Sequence, residues 1–516
     1  MISNNLFKKD FIFSIIFFGF VIFQSYLYLN NVFISDELIL FQKYSKINSI
    51  QEFLLFPNDM SYGSFYYQLN FLISHIGPHP LYVIKLFYLI ISILNVYIPI
   101  VIINKLTDSN KFNVFYLTLI LSSLMVWWQG KQTGVEYLSV FFIVLSLYFC
   151  INKKKYLSFF IYGLAFGLKL NALFILPFFL FLQFHLDNLK FKNNFSSSIK
   201  LILLFIFGFL FSNIFLLLDP SRFILPLSLD NYRSLDHVLF SDEIGWDGVF
   251  NGALNNYGYP LICYFILFIF LAKNKILLLS FYSSILLSII LSLKSWNLFG
   301  WYFFPIYIIF PIVISLLKID NKYSSFLNKE KLILITTFIT LIINGRFINQ
   351  EINNRLESIN SHKEIKYLSE FIDHNYENFD GLVELTDFNL AIESNKQVKL
   401  LNIDNFEKNT FSYGDYSNSF SRLYKNPFID LLVSFRDGPF PDHSKKHDGC
   451  NILRQYGNVL FIVHEKYLKD NVWYSGRNNS YKNWVDKNIV KRCGNFEIKN
   501  YNFYKNHHIF LLRNYD

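Results

Sequence analysis

Two acidic residues, Asp36 and Glu37, follow directly on an apolar run that is long enough to cross a membrane. The run is Phe11–Leu29, and a spanning helix needs about 20 apolar residues. A carboxylate at the mouth of a helical bundle can act as a general base or bind a cation. A solvated loop charge is the simpler alternative from position alone.

A lysine, Lys169, interrupts the apolar stretch Tyr156–Phe184, and Asn171 follows two residues later. An ionisable residue at membrane depth indicates a functional site, with snorkelling to the surface as the alternative. Glu136 stands at the start of another apolar run, where its alternative is an interfacial acid paired with Lys131. Acids and a cation on one membrane face together predict a site.

Further positive charge is available from Lys85, at the start of an apolar run, and from Arg222 and Arg233 in a later loop. The loop residues Asp236–Asp247 include metal-ligand types, but their spacing matches no recognised metal site. No P-loop and no nucleophile elbow occur, so ATP-driven chemistry is not expected. The sequence indicates no cofactor, and a divalent metal is possible but not indicated.

The composition is that of a membrane protein. Hydrophobic residues make up 53% and charged residues 16%, against about 25% charged in a typical soluble domain. The net charge of +9 comes with lysines that lie mostly between apolar runs. Membrane topology explains that placement, so nucleic-acid binding is not expected.

The apolar runs predict a polytopic α-helical protein. Besides Phe11–Leu29, the candidate runs are Leu81–Ile103, Val114–Trp128, Tyr137–Cys150, Ile199–Leu218, Tyr259–Ala272, Ile276–Leu293, Leu298–Leu317 and Leu332–Phe347. The basic clusters taken as cytoplasmic are Lys8/Lys9, Lys105/Lys111, Lys153–Lys155, Lys190/Lys192, Lys273/Lys275 and Lys318–Lys331. Both flanks of Tyr156–Phe184 are basic, so this stretch must cross twice, with a turn at Gly167–Asn171. The result is about eleven crossings with the N-terminus inside.

Two domains follow from this topology: a transmembrane domain over residues 1–348 and an extracytoplasmic soluble domain over residues 349–516. In the first large outer loop, residues 30–80, the spacing of Ile47, Ile50, Phe53 and Leu54 predicts amphipathic helices along the membrane surface. The soluble domain is predicted as a small α/β fold. Its expected helix is His362–Asn375, and its expected strands are Gly381–Leu385, Val398–Ile403, Val459–Val463 and His508–Leu512. Cys450 and Cys493 could form a disulfide there or stay unpaired.

Several short motifs and their order along the chain resemble those of the GT-C glycosyltransferases. The similar branch is that of the protein O-mannosyltransferases and the lipid A aminoarabinose transferase (family 39-like). Asp36-Glu37 is similar to the acidic pair that this branch places after its first span. The other similar segments are Tyr62–Tyr67, Ile84–Leu89, Gln129–Glu136, Gly163–Asn171 and Trp301–Pro305. Tyr62-Gly63-Ser64 replaces the usual His-Pro-Pro, which bears on the identity of the substrate.

The resemblance implies transfer of a sugar from a polyprenyl-phosphate donor to a lipid, glycan or protein acceptor on the extracytoplasmic face of a bacterial inner membrane. Asp36 would be the base, and Glu37 and Glu136 would orient the substrate. Lys169 would stabilise the departing phosphate, with Arg222 or Arg233 in reserve. A polysaccharide polymerase or ligase, a lipid or sugar transporter, and a non-catalytic scaffold remain as alternatives.

Overall fold

The computed structural model describes residues 2–30, 49–55, 64–76, 80–107, 112–123, 126–127, 134–187, 195–218, 273–292, 304–318, 328–376, 379, 381–385, 399–402, 457–464, 494 and 496–515. The chain divides into two compact units, and along the last helix the boundary lies between Arg355 and Leu356. Unit 1 is helical and precedes this boundary. Unit 2 contains the strands.

The helices are mostly apolar and their lengths differ widely. They are α1 (Ile2–Asn30), α2 (Ile50–Leu55), α3 (Ser64–Ser74), α4 (Pro80–Thr107), α5 (Asn113–Leu121), α6 (Val135–Ile151), α7 (Lys155–Leu168), a 3₁₀ helix (Leu170–Ile175), α8 (Leu176–Asp187), α9 (Phe195–Ser212), α10 (Phe215–Leu218), α11 (Lys275–Ser292), α12 (Phe304–Leu316) and α13 (Lys329–Asn375).

The exterior of unit 1 is apolar, as expected for a protein that meets hydrocarbon. Within the described ranges, α1, α4 and α13 are long and apolar enough to cross a membrane. Large apolar side chains such as Phe18 on α1, Phe207 on α9 and Phe338 on α13 are more than half exposed. Exposed apolar side chains on helix after helix would be unfavourable in water, and they fit a lipid-facing surface. The predicted helical fold with helices apolar enough to span a membrane is confirmed, whereas the count of eleven crossings and their orientation stay predictions.

Contacts between helix ends show that unit 1 has a basic end. The ammonium group of Lys105, on the last turn of α4, donates to Asn152 Oδ1 just after α6. The α12 helix begins where α6 begins, because the rings of Phe304 and Tyr137 lie 5.8 Å apart. It ends near the start of α11, where Lys273 N donates to Lys318 O at 2.7 Å. We call this end, with Lys105, Lys273 and Lys318, the basic end.

The stretch Tyr156–Phe184 folds back on itself, as the basic residues on both flanks predicted. Phe179 on α8 stacks on Tyr162 of α7 with ring centroids 4.2 Å apart, and it also contacts Phe159 at 5.1 Å. These contacts require the chain to reverse after α7. The α7 helix has 14 residues, hence a length of about 21 Å.

Glycines allow α7 and α9 to pack closely. Gly163 and Gly208 face the backbone of the neighbouring helix, so a Cβ at either position would collide with Phe205 O or Phe160 O. At the end of α7, Asn213 Nδ2 donates to Gly167 O at 2.9 Å. Close packing of backbones at small residues is typical of helices in membranes. This contact fixes the last turn of α7 and, with it, the position of Lys169.

The loop helix α3 packs against the bundle, although the sequence predicted amphipathic helices that lie along the membrane surface. Seven of its eleven residues are buried, among them Tyr66 and Tyr67. Phe65 contacts Phe142 of α6 and Phe211 of α9 with ring centroids 6.3 and 5.9 Å apart. Packing against helices therefore accounts for the buried apolar residues of α3, and its position along the membrane surface stays a prediction.

Unit 2 is a small α/β domain, as predicted. Its strands are β1 (Gly381–Leu385), β2 (Lys399–Asn402), β3 (Asn458–His464), β4 (Phe496–Tyr504) and β5 (His507–Asn514). They form one sheet in the order β2-β1-β3-β5-β4. The first three strands are parallel, and β3, β5 and β4 are antiparallel.

The end of α13 supplies the core of unit 2. Leu368, Ile372 and Tyr376 pack against Leu460 and Ile462 of β3, and Ile509 of β5 completes the cluster. Asn502 Nδ2 of β4 donates to the hydroxyl oxygen of Tyr376 at 2.7 Å. The helix predicted over His362–Asn375 therefore exists as the last part of α13.

The division between the two compact units falls on α13 between Arg355 and Leu356, and the predicted domain boundary at 348/349 stays a prediction. The prediction placed it where the apolar run ends, at Phe347. However, the α13 helix continues without interruption from Lys329 to Asn375. Arg355 and Glu351 are buried in unit 1 despite their charge, so the end of the apolar run is not the end of the unit.

Candidate functional site

Glu136 and Lys169 form an ion pair at the end of unit 1 opposite the basic end. Glu136 lies in the first turn of α6, and Lys169 directly follows α7. The two helices are antiparallel neighbours, held by hydrogen bonds from Ser139 Oγ to Ala165 O (3.0 Å) and from Ser158 Oγ to Ser146 O (2.8 Å). We call this end of unit 1 the site end.

The ion pair is largely removed from solvent. The side chains of Lys169 and Glu136 are 11% and 10% exposed, and Lys169 Nζ donates to Glu136 Oε1. A buried charge is tolerated when an opposite charge lies beside it, so each residue makes the other possible here. The sequence also allowed an ion pair between Glu136 and Lys131. Lys131 lies outside the described residues.

Local backbone structure places the two charges. The backbone at Lys169 is extended (φ −154°, ψ 135°), so α7 ends there and the ammonium group leaves the helix axis. Gly134 stands before Glu136, and a Cβ at Gly134 would lie 2.9 Å from Glu136 Oε2. The glycine therefore leaves room for the carboxylate group.

Asn171 is a buried amide without hydrogen bonds to the described residues. It is 5% exposed, and neither its Nδ2 nor its Oδ1 has a partner in that part of the chain. An unsatisfied buried polar group costs about 1–3 kcal/mol, so such a group requires an explanation. An amide that offers a donor and an acceptor two residues from Lys169 suits a hydroxyl-rich ligand.

The other predicted residues divide into one that is described and four that are not. Lys85 is buried in the early part of α4. Asn95, ten residues later in α4, lies beside the start of α6, because its Nδ2 donates to Tyr137 O at 3.1 Å. Lys85 is therefore about 15 Å from Asn95 along the axis of α4, on the side away from the basic end. Asp36, Glu37, Arg222 and Arg233 lie outside the described residues, as do the loop 236–247 and Cys450 and Cys493.

A second buried charged group, which sequence analysis missed, lies on α13. Arg355 is 1% exposed; its Nε donates to Glu351 Oε1 and its Nη1 to Gln24 Oε1 of α1, both at 3.4 Å. Gln24 Nε2 in turn contacts Val126 O at 3.5 Å. The only sequence signal was Gln24, a polar residue inside the first apolar run. Glu351 and Arg355 at i, i+4 resemble an ordinary exposed pair.

The Arg355 group also belongs to the site end of unit 1. On α13, Thr337 Oγ1 contacts Phe115 O at 3.5 Å and Asn344 Nδ2 contacts Ser122 O at 2.9 Å, so α13 runs parallel to α5. The α5 helix starts near the end of α4 that carries Lys105, so both run away from the basic end. Arg355 is eleven residues beyond Asn344, about 16 Å further.

The site end thus combines two buried charge pairs with an amide, that of Asn171, which has no partner among the described residues. Buried charged groups in apolar surroundings can hold an anion and hydroxyl groups. Neither a protein-family model nor a curated protein sequence matches the chain.

Proposed function

We propose that this protein is a membrane glycosyltransferase that moves a sugar from a polyprenyl-phosphate donor to an acceptor hydroxyl group. The observation that carries the proposal is the buried Glu136–Lys169 ion pair, with the amide of Asn171, which lacks a partner in the described part of the chain, two residues from Lys169. These residue types at membrane depth suit a ligand that has both a phosphate and hydroxyl groups. A lipid-linked sugar is such a ligand.

The reaction is a displacement at the anomeric carbon. The acceptor oxygen forms a bond to this carbon as the bond from the carbon to the phosphate oxygen breaks. The acceptor's proton passes to a carboxylate, for which we propose Asp36, and the phosphate leaves with the electron pair of the broken bond. Attack opposite the leaving group inverts the anomeric centre. Glu37 would orient the acceptor.

The phosphate group needs positive charge nearby more than it needs a proton, because it leaves as a stable anion. We propose that Lys169 supplies this charge, with Lys85, Arg222 and Arg233 as further cations of the site. Glu136 reduces the cost of keeping an ammonium group at this depth and holds it in place before the donor arrives. Asn171 would bind sugar hydroxyl groups. No divalent metal is required by this scheme.

We further propose that the chain crosses a bacterial inner membrane about eleven times, with the basic end in the cytoplasm and the site end outside. Support comes from the separation of Lys105, Lys273 and Lys318 from Lys169 along the bundle. Cysteine introduced at Leu170 should react with an impermeant thiol reagent from outside. Labelling from the cytoplasm alone would contradict this orientation.

The function is tested by comparing cell-envelope lipids and glycans by mass spectrometry in cells with and without the gene. We expect loss of one sugar from an envelope component and accumulation of a polyprenyl-phosphate sugar. The variant Asp36→Asn should behave like the deletion while its abundance in membranes stays normal. A transporter would instead move its substrate without forming a new glycosidic bond, and normal transfer by this variant would exclude Asp36 as the base.

A further inference from the structure

Arg355 differs from Lys169, because its charge is paired only at long distance among the described residues. Its contacts to Glu351 Oε1 and Gln24 Oε1 are both 3.4 Å long, whereas charge-assisted hydrogen bonds are usually about 2.7–2.9 Å. Its Nη2 has no hydrogen-bond partner among the described residues. Lys169, by contrast, makes a close ion pair with Glu136.

Loss of a proton does not relieve the cost of burying this charge, because arginine stays charged in proteins. A buried charge is normally paired closely or bound to a ligand. Glu351 supplies one carboxylate, on the Nε side of the group. The Nη side faces the neutral amide oxygen of Gln24, which an anion could displace.

Near Arg355, the exposed side chains of α13 change from mostly apolar to polar. Between residues 332 and 348 the exposed side chains of α13 are apolar except Arg346, and they include Phe338, Ile342 and Phe347. The next exposed positions are Asn349, Gln350, Asn353 and Asn354. Such a change marks the boundary between hydrocarbon and head groups, and lipid phosphates lie at that boundary.

The phenol groups of Tyr137 and Tyr28 lie in the neighbourhood of Arg355. Tyr137 is the neighbour of Glu136 in α6, so the guanidinium group and the Glu136–Lys169 pair belong to one region. Two further hydroxyl groups near the cation suit an oxygen-rich anion. Buried position, incomplete pairing and head-group level point to the same class of ligand.

We infer that Arg355 binds the phosphate group of an isoprenyl phosphate, using Nη1 and Nη2 as a fork. This inference rests on the proposed function, because it adds to Lys169 a second residue that holds the phosphate of the donor. Glu351 keeps the guanidinium group oriented through Nε, and the phosphate oxygens replace Gln24 Oε1 on the Nη side. Arginine stabilises the negative charge of the leaving phosphate and transfers no proton to it.

The test measures the binding of farnesyl phosphate to the full-length protein in detergent micelles, with farnesol as the probe that lacks the phosphate. We expect Arg355→Gln to weaken farnesyl phosphate binding about 10- to 100-fold, the usual effect of losing a hydrogen bond to a charged group. Binding of farnesol should not change. Arg355→Lys should restore part of the affinity, because lysine keeps the charge but lacks the fork.

Arg346→Gln is the matched control, because Arg346 lies on the same helix with an exposed side chain. It should bind farnesyl phosphate like the wild type. Arg355→Gln could bind with wild-type affinity and unfold at a lower temperature. Arg355 would then only stabilise the packing of α1 against α13, and the inference would be overturned. Wild-type affinity with a normal unfolding temperature would overturn it equally.

Inorganic phosphate as a competitor distinguishes the source of the phosphate. Competition as strong as that of unlabelled farnesyl phosphate would assign the site to a free anion and overturn the lipid assignment. The same assays separate this inference from the proposed function. Arg355-dependent binding without sugar transfer would leave the phosphate site standing and reject the transferase. If the protein transfers sugar but Arg355→Gln binds farnesyl phosphate like the wild type, the transferase stands and the phosphate site at Arg355 is rejected.

Discussion

Glu136 Oε1 accepts a hydrogen bond from Lys169 Nζ across two antiparallel helices, so that a carboxylate and an ammonium group are buried together. The two residues are separated by a full helical hairpin in sequence. The short turn after α6, and the end of α7 at Leu168, bring them to the same level. Their pairing has consequences for stability and for activity that can be measured separately.

We expect Lys169→Met and Glu136→Gln each to lower the free energy of unfolding by about 3–5 kcal/mol, because each leaves one buried charge unpaired. The double variant should be more stable than either single variant, since neither charge remains. Thermal and denaturant unfolding of the purified protein would measure this coupling. Sugar transfer should be lost in all three. Additive losses of stability would show that the two residues do not depend on each other.

Asn171→Leu should keep or raise stability while sugar transfer falls at least about tenfold. The reason is that an apolar side chain of similar size removes a buried amide that costs about 1–3 kcal/mol when unsatisfied. The measurement pairs unfolding temperature with the rate of transfer. A stability loss with unchanged transfer would mean that Asn171 is a structural residue whose partners lie elsewhere in the chain.

Gly208→Ala should destabilise the protein by about 1–3 kcal/mol, because the added methyl group meets Phe160 O and forces α7 and α9 apart. Gly345→Ala on α13 is the control. A Cβ at Gly345 meets nothing within 4 Å, and alanine favours a helix over glycine by about 0.5–1 kcal/mol. The two alanines should therefore shift the unfolding temperature in opposite directions. Equal shifts would argue against close packing at Gly208.

Tyr376 makes unit 2 sensitive to alkaline pH. Burial raises the pKa of its phenol above the ordinary value of 10.0, although the hydrogen bond from Asn502 acts in the opposite direction. A raised pKa in the folded state means that stability is complete below pH 10 and is lost as pH rises through the folded pKa. Circular dichroism during an alkaline titration should show this loss, and Tyr376→Phe should reduce its slope. An unchanged slope would exclude Tyr376 as the titrating group.

The sequence was most informative where hydrophobic pattern and charge act together. Strand β1 was predicted with its observed bounds, Gly381–Leu385, and β3 and β5 were each predicted as shorter strands within the observed ones. The reversal after α7 followed from the basic residues on both flanks. Strand β4 was missed, because Lys499, Asn500 and Asn502 are residue types that disfavour strands. Pairing with β5 overrides that preference.

The site was predicted only in part, because burial of polar residues depends on tertiary packing. Glu136, Lys169 and Asn171 were named from their positions in apolar runs, and the structure places all three at the site end. Their ion pair was not predicted, since sequence gives no distance across a hairpin. Arg355 was missed because the helix continues past its apolar run, and nothing local shows that its outer turns are covered by α1.

The irregularity in strand β4 has a consequence for how unit 2 behaves among its own copies. This strand forms one margin of the sheet, and its pairing with β5 shifts register between Ile498 and Asn500. A flat, regular margin would offer its free peptide groups to a strand from another molecule. The bulge twists that margin away from such a partner, and the charge of Lys499 within it opposes stacking. We therefore expect the irregularity and Lys499 together to disfavour pairing of β4 with a strand from another copy.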